Sequence, residues 1–136
     1  MSGQSGVAEA AKASLKDAAK FLFFNEQGTV LASNFNADPA ELKPLQALFN
    51  ERDDAIKHGM IIQGTRYEVH RHHPPLVYGR QMGGVPEESE GCAICKVDAG
   101  LGGQPCYGLI TYQMPNISAR MVPLLQKFCQ DHLEAA

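Results

Sequence analysis

Met60-Ile-Ile-Gln-Gly-Thr-Arg-Tyr-Glu-Val69 lies mid-chain and reads as two β-type runs joined at Gln63-Gly64. A two-residue loop ending in glycine, flanked by apolar and β-branched residues, is the pattern of a tight hairpin, because such a loop requires positive φ. Working outward, residues 76–78 follow Pro74-Pro75 and extend the hairpin into a three-stranded meander. Residues 91–97 and 107–112 make two further strands. The first follows an acidic loop, 85–90, with Glu87, Glu88 and Glu90, and the second follows a glycine-bearing one. Upstream, Phe21-Leu-Phe-Phe24 and Thr29-Val-Leu-Ala32 flank Asn25-Glu-Gln-Gly28, which is again strand, glycine-terminated turn, strand.

Helical segments surround these strands. Residues 8–19 are rich in Ala, Lys, Glu and Leu and predict a first helix after a Gly/Ser start, with residues 1–7 flexible. Asp38 can cap a second helix with Pro39 in its first turn, and Leu42, Leu45, Leu48 and Phe49 recur at helical spacing to about Asn50. Pro44 inside that pattern either kinks the helix or marks a restart. Residues 51–58 read as a charged link. A last helix spans 118–133, with Met121, Leu124, Leu125, Phe128 and Leu133 along one face; Pro123 is tolerable there if the helix starts near Met121. The order is helix, two strands, helix, five strands, helix. It predicts one α+β domain over 1–136, an antiparallel sheet with helices covering its faces.

Composition narrows the function. The 136 residues are 44% hydrophobic, enough to close a single core, and the formal charge of -3 comes from interspersed acids and bases. No basic stripe marks the chain for nucleic acid. No run reaches the ~20 apolar residues of a membrane span, and residues 1–6 lack the basic start and apolar stretch of a secretory signal, so a soluble intracellular protein is expected. Cys92, Cys95, Cys106 and Cys129 are read as reduced thiols, since a chain of this size needs no staples.

Metal and enzyme chemistry find little support. Cys92-Ala-Ile-Cys95 falls in a predicted strand, where residues three apart point to opposite faces, so the two sulfurs should diverge rather than share a metal or a redox step. His70-Arg-His-His73 has no carboxylate or thiolate companion at fixed spacing and reads as a polar turn. No Ser or Cys sits in a nucleophile elbow, and Gly100-Leu-Gly-Gly103 lacks the Lys and Ser/Thr of a phosphate loop. The expectation is no catalytic residue, no metal and no cofactor.

Taken together, Phe23-Phe-Asn-Glu-Gln-Gly-Thr-Val30, Gly59-Met-Ile-Ile-Gln-Gly-Thr-Arg-Tyr67, residues 91–97 and the amphipathic last helix resemble the profilin family across residues 21–133. The resemblance implies a central antiparallel sheet, with N- and C-terminal helices packed on one face and short helices on the other. It also implies binding of monomeric actin, in the cytoplasm and on the cytoskeleton. Tyr78, Arg80, Asn116, Ile117, Ser118 and Arg120 fall at positions matching the family's actin surface, with Lys96 and Lys127 nearby. Profilins also bind proline-rich ligands in a groove of aromatics that includes tryptophans. This chain has none, and Leu31 stands at the matching strand position. Leu31, Phe128 and His132 are a groove remnant, with Phe21 or Phe128 as a substitute for the missing rings, and poly-proline binding is expected to be weak or absent. Phosphoinositide binding is expected to be weak as well, because basic residues are few and interleaved with acids. An alternative is a non-catalytic adaptor of the same fold, built into a larger cytoskeletal, ciliary or axonemal assembly, with loop 85–90 and the altered first helix as its contacts.

Overall fold

The structure is a computed structural model that describes residues 3–81 and 89–134. In chain order it contains α1 (Gly3–Ser14), β1 (Lys20–Asn25), β2 (Val30–Ser33), α2 (Pro39–Ala47), α3 (Arg52–His58), β3 (Met60–Ile62), β4 (Thr65–His73), β5 (Leu76–Arg80), β6 (Gly91–Val97), β7 (Cys106–Tyr112) and α4 (Ser118–His132). The strands form one seven-stranded antiparallel sheet, ordered β2-β1-β7-β6-β5-β4-β3.

The hairpin at Gln63-Gly64 forms as its sequence predicts. Ile62 pairs with Thr65, leaving a two-residue loop with φ of 50° at Gln63 and 78° at Gly64. Helix α2 holds this loop from outside, since the Glu41 carboxylate accepts the backbone N–H of Gln63 at 2.7 Å and of Gly64 at 2.9 Å. Asp38 caps α2 by accepting from the Ala40 N–H at 2.9 Å, with Pro39 at the first helical position. Pro44 marks no restart: α2 runs on to Ala47, and Pro44, having no N–H, gives the Ala40 carbonyl no helical donor.

Four sequence expectations need correction. The first helix runs over Gly3–Ser14, not 8–19, because Val7 and Ala11, one turn apart and buried, set its inner face, and Leu15 follows in the same row. Residues 52–58 are a helix, not a link. Asp53 and Asp54 in its first turn and Lys57 and His58 in its last complement the helix dipole, and Gly59 at φ 78° ends it. Only Ala55 is buried there, so no apolar period reveals it. His70–His73 is strand, not turn: β4 continues to His73, which pairs with Leu76 across Pro74-Pro75. Helix α4 spans Ser118–His132, as expected, but it begins before Met121, so Pro123 lies inside its second turn rather than at the start.

Two cores sandwich the sheet. On one face α1 and α4 pack together and cover β2, β1, β7 and β6, burying Phe21, Phe23, Cys95, Ile110, Leu125 and Phe128. On the other, α2 and α3 close over Leu22, Phe24, Met60, Tyr67, Ile94 and Leu109. The central strands are therefore buried on both sides, which explains why β6 and β7 read as continuous apolar runs. Cys92 and Cys95 enter opposite cores, as their spacing requires.

Candidate functional site

The terminal helices stop short of β5 and β4, and the face they leave uncovered is the candidate site. Along β5, Leu76, Tyr78 and Arg80 point to this side and are half-buried, while Val77 between them enters the opposite core. Register places Arg71 of β4 beside Tyr78 and Glu68 beside Arg80. Glu68 already pairs with Arg66. Arg80 donates from Nη1 to the Ser89 carbonyl at 2.8 Å, and no carboxylate among the described residues neutralises it. Its planar fork is held in place with charge to spare.

A chain of contacts joins this strand face to the start of α4. Gly91, opposite Arg80 on β6, has no side chain because the Tyr112 ring occupies that space. The Tyr112 hydroxyl is within hydrogen-bond distance of Ser118 Oγ at 2.8 Å. Burial raises the Tyr112 pKa, and the Ser118 bond and the Arg80 charge oppose that rise. Beyond Ser118 the exposed side chains of Met114 and Ile117, 48% and 46% accessible, form an apolar rim.

Tyr78, Arg80, Ile117 and Ser118 are thus brought to one surface. Asn116 and the exposed Arg120 lie beside them but are already engaged with Asp17: Arg120 Nη2 meets Asp17 Oδ2 at 2.6 Å, Arg120 Nη1 meets Asn116 Oδ1 at 2.7 Å, and Asn116 Nδ2 donates to the Asp17 carbonyl at 3.2 Å. Both side chains clamp the link between α1 and β1. Lys96 is elsewhere. It belongs to the opposite face of β6, at the end where its N–H bonds the Pro75 carbonyl, and it reaches toward Asp98. Lys127 pairs with Asp131 along α4. Met114 is the contributor that sequence reading missed; its only signal was a methionine in the short polar link between a buried strand and a helix.

The acidic loop falls largely on residues 82–88, outside the described residues. Its flank is ordered by a ladder bond from the Gln81 N–H to the Glu90 carbonyl at 2.9 Å. Glu90 turns its carboxylate to the Tyr67 hydroxyl and to Gln113 Nε2, so this one acid of the loop is occupied. Burial, and then the Glu90 bond and charge, push the Tyr67 hydroxyl well up from the usual tyrosine range.

Two other places bear on function. Between α1 and α4 a hollow of about 100 Å³ is lined by Ser14, Leu124, Lys127, Phe128, Asp131 and His132. Phe128 is spent inward, its ring centroid 4.9 Å from that of Phe23 and 4.5 Å from that of His132 in tilted contacts, and Phe21 is buried too; Leu31 packs at the edge of the same core. The histidine run does not converge. His72 and His73 project to opposite faces, and His72 Nε2 is 2.7 Å from the Leu48 carbonyl. Among the described residues no group of three or more His, Cys, Asp or Glu is placed to hold a metal, and no helix is long and apolar enough to cross a membrane.

The profilin family model matches residues 6–101 of the sequence. Profilin from Schizosaccharomyces pombe superposes with a TM-score of 0.74 at 18% identity, covering 96% of this chain and 95% of that one. Profilin II from Acanthamoeba castellanii gives 0.73 at 16% identity over 91% and 94%. LokiProfilin1, solved in complex with rabbit actin, gives 0.71 at 16% identity over 96% and 95%. No curated protein matches the sequence.

Proposed function

This chain belongs to the profilin family, and from that premise we propose that it is a non-catalytic regulator that binds monomeric actin through the uncovered β4–β5 face and the start of α4. The observation that carries the reading is the continuity of that face: Tyr78 and Arg80 run through Gly91 and Tyr112 to Ser118, with the Arg80 charge unneutralised among the described residues. A rigid guanidinium fork suits carboxylates on a partner, and the exposed Met114 and Ile117 supply apolar area beside it. That LokiProfilin1, of the same fold, was solved with rabbit actin supports the choice of partner. Asn116 and Arg120 act chiefly by setting the angle of α4, Lys96 stands outside the contact, and the protein works in the cytoplasm.

Proline-rich binding is weak in this reading, because the rings that could stack on a ligand are turned into the core and the chain has no tryptophan. Phosphoinositide binding is weak for a different reason: Glu68 and Asp17 stand among the cations of the open face. The missing tryptophans also favour a second reading, an adaptor of the same fold in a cytoskeletal or ciliary assembly.

Titration of labelled monomeric actin with the purified protein tests the proposal. Micromolar binding, weakened about tenfold or more by Arg80→Glu, about 1.4 kcal/mol, is the expected result. A folded sample that shows no binding at about tens of micromolar would overturn it in favour of the adaptor.

A further inference from the structure

The four cysteines play no part in the open face, yet two of them meet in the core. Gly108 of β7 pairs directly with Cys95 of β6, so their side-chain positions are neighbours on the α4 side of the sheet, about 5 Å apart. A Cβ at Gly108 would lie 2.7 Å from Cys129 Sγ. The space left by the absent side chain is thus filled by the α4 sulfur, which brings it next to Cys95. The other two thiols are turned elsewhere: Cys92 enters the opposite core, and Cys106 Sγ faces the turn carbonyls of Leu101 and Gln104 at 3.8 and 3.7 Å.

We propose that Cys95 and Cys129 are a reversible modification site, closed to a disulfide by hydrogen peroxide so that β6 is tied to α4. The Cys95 thiolate attacks peroxide; an S–O bond forms as the O–O bond breaks, and the released hydroxide takes up a proton as water. Cys129 sulfur then attacks the sulfenic sulfur. The S–S bond forms, the S–O bond breaks, and hydroxide leaves with the Cys129 proton as a second water. Two thiols are oxidised by two electrons and one peroxide is reduced to two waters. The roles follow from the pair itself: the Cys129 thiol donates to Cys95, which lowers the Cys95 pKa and raises that of Cys129, so Cys95 is the first nucleophile. Both are nearly inaccessible, at 2% and 0%, so oxidation waits on local opening between α4 and the sheet and is slow.

The test is intact mass and a non-reducing peptide map of the folded full chain after hydrogen peroxide. The expected result is a loss of about 2 Da, restored by dithiothreitol, in one bridge between the peptides of Cys95 and Cys129. The bridge persists in Cys92→Ala and Cys106→Ala, is lost in Cys95→Ala or Cys129→Ala, and raises the thermal midpoint of the wild-type protein. Oxygen added to single cysteines with no bridge, or a bridge through Cys106, would overturn the proposal; both can be read on the wild-type protein without any variant having to fold.

Discussion

At Gly108 the fold depends on a missing side chain. Its Cβ would lie 2.7 Å from both Cys129 Sγ and the Phe23 ring, each buried beneath other side chains and without room to retreat. Gly108→Ala is therefore expected to cost about 1–3 kcal/mol through overpacking, measured by denaturant unfolding at unchanged m-value. Nothing in the local sequence Cys106-Tyr-Gly-Leu109 signals that demand, because it is made by α4 and β1. The same limit applies at Arg120. Its charge is readable, but its partner Asp17 is brought to it only by the packing of α1 against α4. Arg80 was readable to better effect, since strand alternation alone puts it on the side of Tyr78.

Among the elements, the hairpin at Gln63-Gly64 was plain in the chain because turn chemistry is local. What the chain did not show is that the hairpin is held from a distance, by both oxygens of Glu41 on α2. Glu41→Ala should lower stability by roughly 1 kcal/mol, the scale of exposed charge-assisted bonds, and should speed hydrogen exchange at the Gln63 and Gly64 amides more than elsewhere. Glu41→Gln, which keeps an acceptor for one amide, should fall between. Elements with a buried stripe, such as α4, or a β-prone run with a turn signal were legible. Those fixed by packing, such as α3 and the start of α1, were not, since Ala55 alone or Val7 with Ala11 is too sparse a period to read.

For the molecule as a whole, enclosing a sheet on both faces makes several ionisable groups costly to charge. Burial, the first cause in each case, raises the pKa of Cys92, Cys106, Tyr67, Tyr107 and Tyr112. The unfolded chain releases these protons near pH 8.5 for cysteine and 10 for tyrosine, roughly, while the folded chain keeps them. Stability is then complete below about pH 8.5 and declines above it, with a limiting slope of about 1.4 kcal/mol per pH unit for each group that ionises only on unfolding. A thermal midpoint flat from neutral pH to mildly alkaline and falling steadily towards pH 10 and above would show it; a midpoint rising with alkalinity would contradict it. The strand order has a consequence in time. Because β1 lies between β2 and β7, Lys20–Asn25 cannot gain its second neighbour until Cys106–Tyr112 has been synthesised. On the ribosome the Phe21-Leu-Phe-Phe24 run therefore emerges early and waits, a greasy ribbon with one side unzipped. The nascent chain's most exposed hour is spent on a strand that ends up enclosed on both faces, and that is where a chaperone would take hold.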